Sequence, residues 1–208
     1  MLDREEYIEQ AHLFQALGER MAAGIAAQEA LTSIAQEVLA TTKLPMAIDY
    51  LVAELKLFGT VSTAMARLPH YFSRFQTFVM NRAEQEGGRF DMRTALAILE
   101  REARYRAEGP SPQGLFFYRF ECLSRNRLDY QQGMDAIADD PVFDEEWKAW
   151  IRTVGRQVGF IDLGDLISVR SPEYWRLGKR EALLAGREET GPDRAMLFGE
   201  KEGRIARA

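Results

Sequence analysis

The sequence predicts an all-α protein built as an antiparallel helical bundle, and three observations carry that prediction. Apolar residues recur at three- and four-residue steps through most of the chain, the period of one helix face. No run of five or more residues alternates apolar and polar with β-branched enrichment, as a half-buried strand would; Gly159-Phe160-Ile161 comes nearest, and a loop explains it equally well. Gly24, Gly59, the Gly87-Gly88 pair and Gly109-Pro110-Ser111-Pro112 punctuate the periodic segments where helices should stop.

Taken in order, Asp3 and Glu6 read as a capping box opening a first helix, whose stripe is Tyr7, Ala11, Phe14, Leu17 and Met21 and which Gly24 breaks. Leu31, Ile34 and Val38 mark a second helix ending near Thr41-Thr42. The third is the clearest: Leu44, Ile48, Leu51, Leu55 and Phe58 form one stripe, Leu51 is expected in the core, and Gly59 is a C-terminal cap. Ser62 begins a short helical turn through Ala64 and Met65, closed by Pro69. A fifth helix carries Phe72, Phe75 and Val79 and stops at Gly87-Gly88. Asp91 is the N-cap of a sixth, with Leu96, Leu99 and Ala103 inside. Two prolines in four residues cannot sit in a helix interior, so residues 109–113 are the best linker in the chain.

The second half restates the first. Phe14, Leu17, Ile25, Leu31 and Ile34 are matched, 103 positions on, by Phe117, Phe120, Leu128, Met134 and Ile137. Ala47, Tyr50, Leu51, Phe58 and Gly59 are matched 100 positions on by Trp147, Trp150, Ile151, Val158 and Gly159. Arg67, Pro69, Tyr71 and Phe72 return as Arg170, Pro172, Tyr174 and Trp175, and Ala83-Glu84-Gln85-Glu86-Gly87 returns as Gly199-Glu200-Lys201-Glu202-Gly203. A repeat of this size is a whole bundle rather than a solenoid unit. The expected organisation is therefore two tandem six-helix repeats, residues 1–108 and 114–208, joined by a linker at 109–113. The second copy carries an insertion in 176–192, and it is expected to be incomplete because the chain stops where its sixth helix should run.

Composition narrows the function classes. A net charge of −5 argues against a nucleic-acid binder, which needs a basic face, and weakens the case for a polybasic membrane contact. Cys122 is the only cysteine, so neither an internal disulfide nor a cysteine zinc cage can form, which fits a reducing cytoplasm. The acidic N-terminus lacks the apolar core of a signal peptide, and nowhere do 18 apolar residues run together as a membrane span requires.

The ordered motifs resemble the type II secretion system F family, the inner-membrane platform proteins of secretion systems and type IV pili. The likeness lies in Met21-Ala22-Ala23-Gly24-Ile25 followed by Glu29-Ala30-Leu31, then Gly59, Ser62 and Ala64-Met65, then Pro69 and Phe72. A Gly-Glu-x-x-Gly signature comes last, matched fully by Gly199-Glu200 to Gly203, and with Ala83 for the first glycine by Ala83-Glu84 to Gly87. The resemblance implies a six-helix cytoplasmic bundle acting through protein partners, among them a secretion-type ATPase or a pilus assembly component, and a homo-oligomer, a dimer, is expected. Family members place membrane helices after each cytoplasmic domain. Here residues 109–113 join the copies directly, so a detached cytoplasmic relative is expected, peripheral to the membrane only through its partners. Gly87 and Gly203 are expected to end helices in the left-handed conformation, with Glu84 and Glu200 accepting N–H groups at the start of the following helix. Pro172 is expected to play in the second copy the part of Pro69 in the first.

Catalytic constellations are scarce. Glu9 and His12 lie one helical turn apart, the spacing of ferritin-like di-metal pairs, but such a bundle needs a second pair, and Arg67 stands three residues before His70, the only other histidine. Glu84, Glu86, Glu200 and Glu202 would gather a divalent cation only if two acidic turns abutted. Cys122 lies between Phe120 and Leu123, where cysteine serves as a small hydrophobe rather than a nucleophile. Phosphate-binding, zincin and serine-hydrolase motifs are missing. The sequence therefore predicts a non-enzymatic scaffold or adaptor with no cofactor. A metal-binding bundle or enzyme using Glu9 and His12, or the acidic turns, is the alternative, and a peptide-binding helical solenoid a third. Tyr71-Phe72, Phe116-Phe117-Tyr118 and Tyr174-Trp175 are adjacent aromatics that diverge by about 100° on a helix, so one of each is expected in the core and its neighbour at an interface.

Overall fold

The computed structural model describes residues 2–85, 87–172, 174–178 and 195–206. Among them every regular element is an α-helix, and the nearest approach to a strand is an isolated bridge between Val158 and Ile161. The fold is all-α. No described helix is long and apolar enough to cross a membrane. Two compact units divide the chain, residues 1–142 and 143–208.

The first unit holds α1 (Arg4–Ala22), α2 (Ala27–Ile34), α3 (Leu44–Phe58), α4 (Val61–Ala66), α5 (Arg74–Glu84), α6 (Met92–Ala107), α7 (Pro112–Asn126) and α8 (Tyr130–Ala138). Residues 109–113 thus fall inside a compact unit, and the division comes some thirty residues later than the expected linker. Gly109 turns the chain with φ +70°, Ser111 then caps α7 by accepting from Gly114 N, and Pro112 occupies the first helical turn. Proline is tolerated there because its missing N–H would have been unpaired in any case.

The long pair α1 and α6 forms the centre and runs antiparallel, with Tyr7 near Arg106, Gln15 near Arg104 and Gly18 in contact with Leu96. Phe14, Leu17, Leu31, Ile34, Ile48, Leu51, Phe72, Phe75, Val79 and Leu99 are buried around it. Helices α7 and α8 pack closely: a Cβ on Gly133 would lie 2.6 Å from a Leu123 methyl, so a larger residue there requires the Leu123 side chain to shift.

Several local expectations hold as read. Gly24 and Gly59 have positive φ at helix ends, and Gly59 N bonds back to Leu55 O; Gly87 also has positive φ, but α5 ends three residues before it at Glu84, with Gln85 as an extended cap. Asp91 caps α6 by accepting from Thr94 N at 2.8 Å. Others do not. Helix α2 stops at Ile34 rather than near Thr41, since the chain there folds into successive turns. Asp3 makes no side-chain cap, and the Glu6 side chain, which would complete the box, turns inward and is buried. Phe58 is half exposed at the end of its stripe, beneath the Arg67 guanidinium at 4.3 Å. Phe72 precedes α5, whose start is a capping box of Ser73 with Gln76. Tyr71 and Phe72 are both buried, contrary to the one-in, one-out expectation: they lie in a turn, where the helical divergence does not operate.

The second unit contains α9 (Glu145–Gln157), α10 (Leu163–Ser168) and α11 (Glu200–Ile205). Its core is aromatic: Trp147, Trp150 and Phe198 meet edge to face at 4.9–5.5 Å, and Trp150 Nε1 donates to Leu166 O at 3.0 Å. Gly203 does not end a helix here. It lies within α11, with its N–H bonded to Gly199 O in the helical pattern. Most of the insertion at 176–192 lies outside the described residues.

Candidate interaction groove and a buried ion network

The motif residues Ser62, Pro69 and Glu84 come together in the first unit. Helix α4 is short, and Thr60 ahead of it supplies no side-chain cap. Its first N–H groups are instead taken by Glu84 from the end of α5: Val61 N donates to Oε1 at 2.6 Å and Ser62 N to Oε2 at 2.9 Å. An anion at a helix N-terminus is also favoured by the helix dipole. The acceptor role expected for Glu84 is therefore real, but it serves a preceding helix rather than the next one, because α5 folds back beside α4. Glu6 does the same for α3: Oε1 accepts from Lys43 N at 2.8 Å, and Oε2 accepts from the Tyr71 hydroxyl at 2.9 Å. Burial first, and the Glu6 carboxylate second, push the Tyr71 hydroxyl far above its ordinary range.

Between α4, α5 and α8 lies a groove of about 670 Å³. Met65, Phe72 and Phe78 supply apolar lining, Pro69 and Ser62 border it on the α4 side, and Gln132 and Asp135 border it on α8. Arg74 of α5 pairs with Asp139 just after α8. The groove combines an apolar floor and a hydrogen-bonding rim. Its polar lining is made of the Ser62, Thr63 and Thr77 hydroxyls, the Asn81 and Gln132 amides, Arg74 and Asp135. Gly24, Gly59 and Gly87 lie outside its lining; Gly24 and Gly59 sit at helix ends. Pro172, Glu200 and Gly203 belong to the second unit, where Glu200 pairs with Arg176.

The Glu9–His12 pair is engaged on one side only. Glu9 Oε2 accepts from Leu39 N at 3.1 Å, fixing the turn after α2, and His12 is exposed. Among the described residues no three His, Cys, Asp or Glu side chains are grouped to hold a metal ion; Glu86 lies outside them. Cys122 is buried, and burial above all pushes its thiol up to about 11, so it is no thiolate near neutral pH.

The strongest electrostatic feature was not expected. Glu102 and Arg106 of α6, Arg119 of α7 and Asp140 after α8 form a buried quartet, with Arg119 and Glu102 fully enclosed. Glu102 Oε1 accepts from Arg106 Nε at 2.9 Å and from Arg119 Nη2 at 2.6 Å. Asp140 Oδ2 accepts from Arg119 at 2.8 Å and from Arg106. Gln76 extends the network, donating to Glu102 Oε2 and Gln10 Oε1 at 2.8 Å each, and Gln10 donates to Tyr71 O at 3.0 Å. Burial alone would raise both carboxyls, but the two guanidiniums beside them hold Glu102 and Asp140 below the usual carboxylate range. Arg119 Nη1 has no hydrogen-bond partner, and the guanidinium lies over the Phe75 ring at 4.9 Å. One signal in the sequence points here: Glu102, Arg106 and Arg119 fall on the apolar stripes of their own helices, beside Leu99, Ala103, Leu115 and Leu123. No family model, curated protein or solved structure matches the chain.

Proposed function

We propose that this chain is a non-enzymatic helical adaptor that works by protein–protein contact, similar in kind to the cytoplasmic domain of type II secretion F platform proteins. The observation that carries the reading is the α4–α5–α8 groove, bordered by the Ser62 and Pro69 of the motif and shaped by the Glu84 cap. Duplication is supported by helix positions. Shifted by 103, α2 would span 130–137, and α8 is Tyr130–Ala138; shifted by 100, α3 would span 144–158, and α9 is Glu145–Gln157. On this reading the chain works in the cytoplasm, its partners are a secretion-type ATPase, a pilus assembly component or a second copy of itself, and nucleic acid is not among them.

The test is a photo-crosslinking amino acid placed at Thr77 in the groove, with exposed Lys56 on α3 as the control position, in cells of the native host. A discrete product at Thr77 and none at Lys56, identified by mass as one of those partners, is expected. A monomeric mass by light scattering together with equal labelling at both positions would overturn the proposal.

A further inference from the structure

A second cavity, sharing no lining residue with the groove, lies where the start of α1 meets the turn from α6 to α7. We propose that it binds a compact apolar carboxylate, an aliphatic or aromatic chain ending in one free acid group. Its volume of about 390 Å³ falls in the range of about 300–1,000 Å³ typical of small-molecule sites. Leu2, Tyr7, Ala107, Pro110, Leu115 and Val142 give it predominantly apolar walls. Among the described residues, the charged side chains that line it are two arginines, Arg4 and Arg106.

Each arginine has a distinct part. Arg106 is buried and rigidly held: Nε donates to Glu102, Nη1 to the Tyr7 hydroxyl at 3.0 Å, and Nη2 to Asp140. A guanidinium carries five N–H donors in a fixed fork. These three bonds therefore leave one hydrogen on each terminal nitrogen to meet a ligand acceptor. The buried quartet is itself neutral, two arginines against two carboxylates, and Asp140 is further engaged through Oδ1 with Val142 N at 3.1 Å. The uncompensated positive charge comes from Arg4, which is exposed and makes no ion pair among the described residues. A carboxylate at the mouth would bond Arg4 and the remaining Arg106 hydrogens while its chain covers Leu115 and Pro110. An alcohol of the same length would keep the apolar contacts and lose the charge-assisted bonds, and an amine would be repelled.

The test is isothermal titration calorimetry of the full chain with sodium octanoate, and with octanol and octylamine as controls. Octanoate is expected to bind once per chain, octanol at least about tenfold more weakly and octylamine not at all. Arg4→Gln, a change at an exposed residue that leaves the core intact, should weaken octanoate about tenfold and leave octanol unchanged. Val142→Trp, which fills the cavity, should abolish both. No saturable octanoate binding, octanol binding equally well, or an Arg4→Gln variant of unchanged affinity would each overturn the proposal.

Discussion

Arg119→Met is the most informative single change, because it removes one of two buried cations that neutralise two buried carboxylates. Arg119 is fully enclosed and makes three hydrogen bonds, two to Glu102 and one to Asp140. Without it Glu102 keeps Arg106 and Gln76, and Asp140 keeps Arg106 and Val142 N, so one negative charge is left buried without a counter-ion. Breaking a buried pair from one side costs about 3–5 kcal/mol, most of it the penalty of the stranded partner. Against a typical folding free energy of about 5–15 kcal/mol that is a large fraction, and at roughly 2–4 °C per kcal/mol it lowers the melting temperature by about 10 °C. Urea unfolding followed by far-UV circular dichroism measures the loss, and hydrogen exchange should show it in α6 and α7 peptides first. The decisive companion is Arg119→Met with Glu102→Met. The Arg106–Asp140 pair is then left balanced, so the double variant should be no less stable than Arg119→Met alone, a coupling at least as large as the loss from Glu102→Met alone, about 3 kcal/mol or more. A single variant within about 1 kcal/mol of wild type, or a double variant whose loss equals the sum of the singles, would refute the claim that this quartet is electrostatically closed.

Three further outcomes are expected. Stability should fall with acid: the folded-state carboxyls of Glu102 and Asp140 lie below their ordinary values of 4.5 and 3.8, so the unfolded chain takes up their protons first. Their contribution is complete above about pH 5 and is lost as pH drops below that, and thermal melts from pH 6 to 3 should show the gap between wild type and Arg119→Met narrowing on the acid side. Leu51→Asp places an unpaired carboxylate at a core position of α3 that is 2% exposed and should cost about 3 kcal/mol or more in urea unfolding; a wild-type midpoint would contradict the α3 packing. Gly59→Ala meets no steric obstacle but must hold φ near +75°, so it should cost about 1–2 kcal/mol, with Gly59→Asn milder; equal effects would show that backbone strain is not the cause.

The helices that were legible in the sequence are those whose signals are local. In α3 the stripe and Gly59 sit within one element, and in α6 the cap Asp91 is three residues from its donor, so spacing alone identifies both. What escaped is held by pairs far apart in the chain. Glu6 and Asp3 have the spacing of a capping box, yet Glu6 caps a helix 37 residues away, and Glu84 caps one 22 and 23 residues behind it. Neither Lys43 ahead of α3 nor Thr60 ahead of α4 supplies a side-chain cap of its own. The same holds for the ion network: Glu102, Arg106 and Arg119 read as ordinary surface charges until three helices meet, although their place on apolar stripes is a visible anomaly.

This division has a physical consequence for the groove. An isolated helix shorter than about 12–15 residues is marginal in water, and α4, Val61–Ala66, is far below that length. Its two leading N–H groups are satisfied by a residue of α5, and its Ala64 and Met65 are buried in the bundle, so α4 exists as a product of tertiary packing rather than of propensity. The α4 wall of the groove and the cap that orders it are thus a single device. Glu84→Ala should therefore cost about 1–2 kcal/mol globally and, within the native state, loosen α4 first. Hydrogen exchange at Val61 to Ala66 reads this directly. Exchange there that rises no more than in α3 would mean that α4 is ordered by its apolar contacts alone, and that the motif glutamate does not shape the groove.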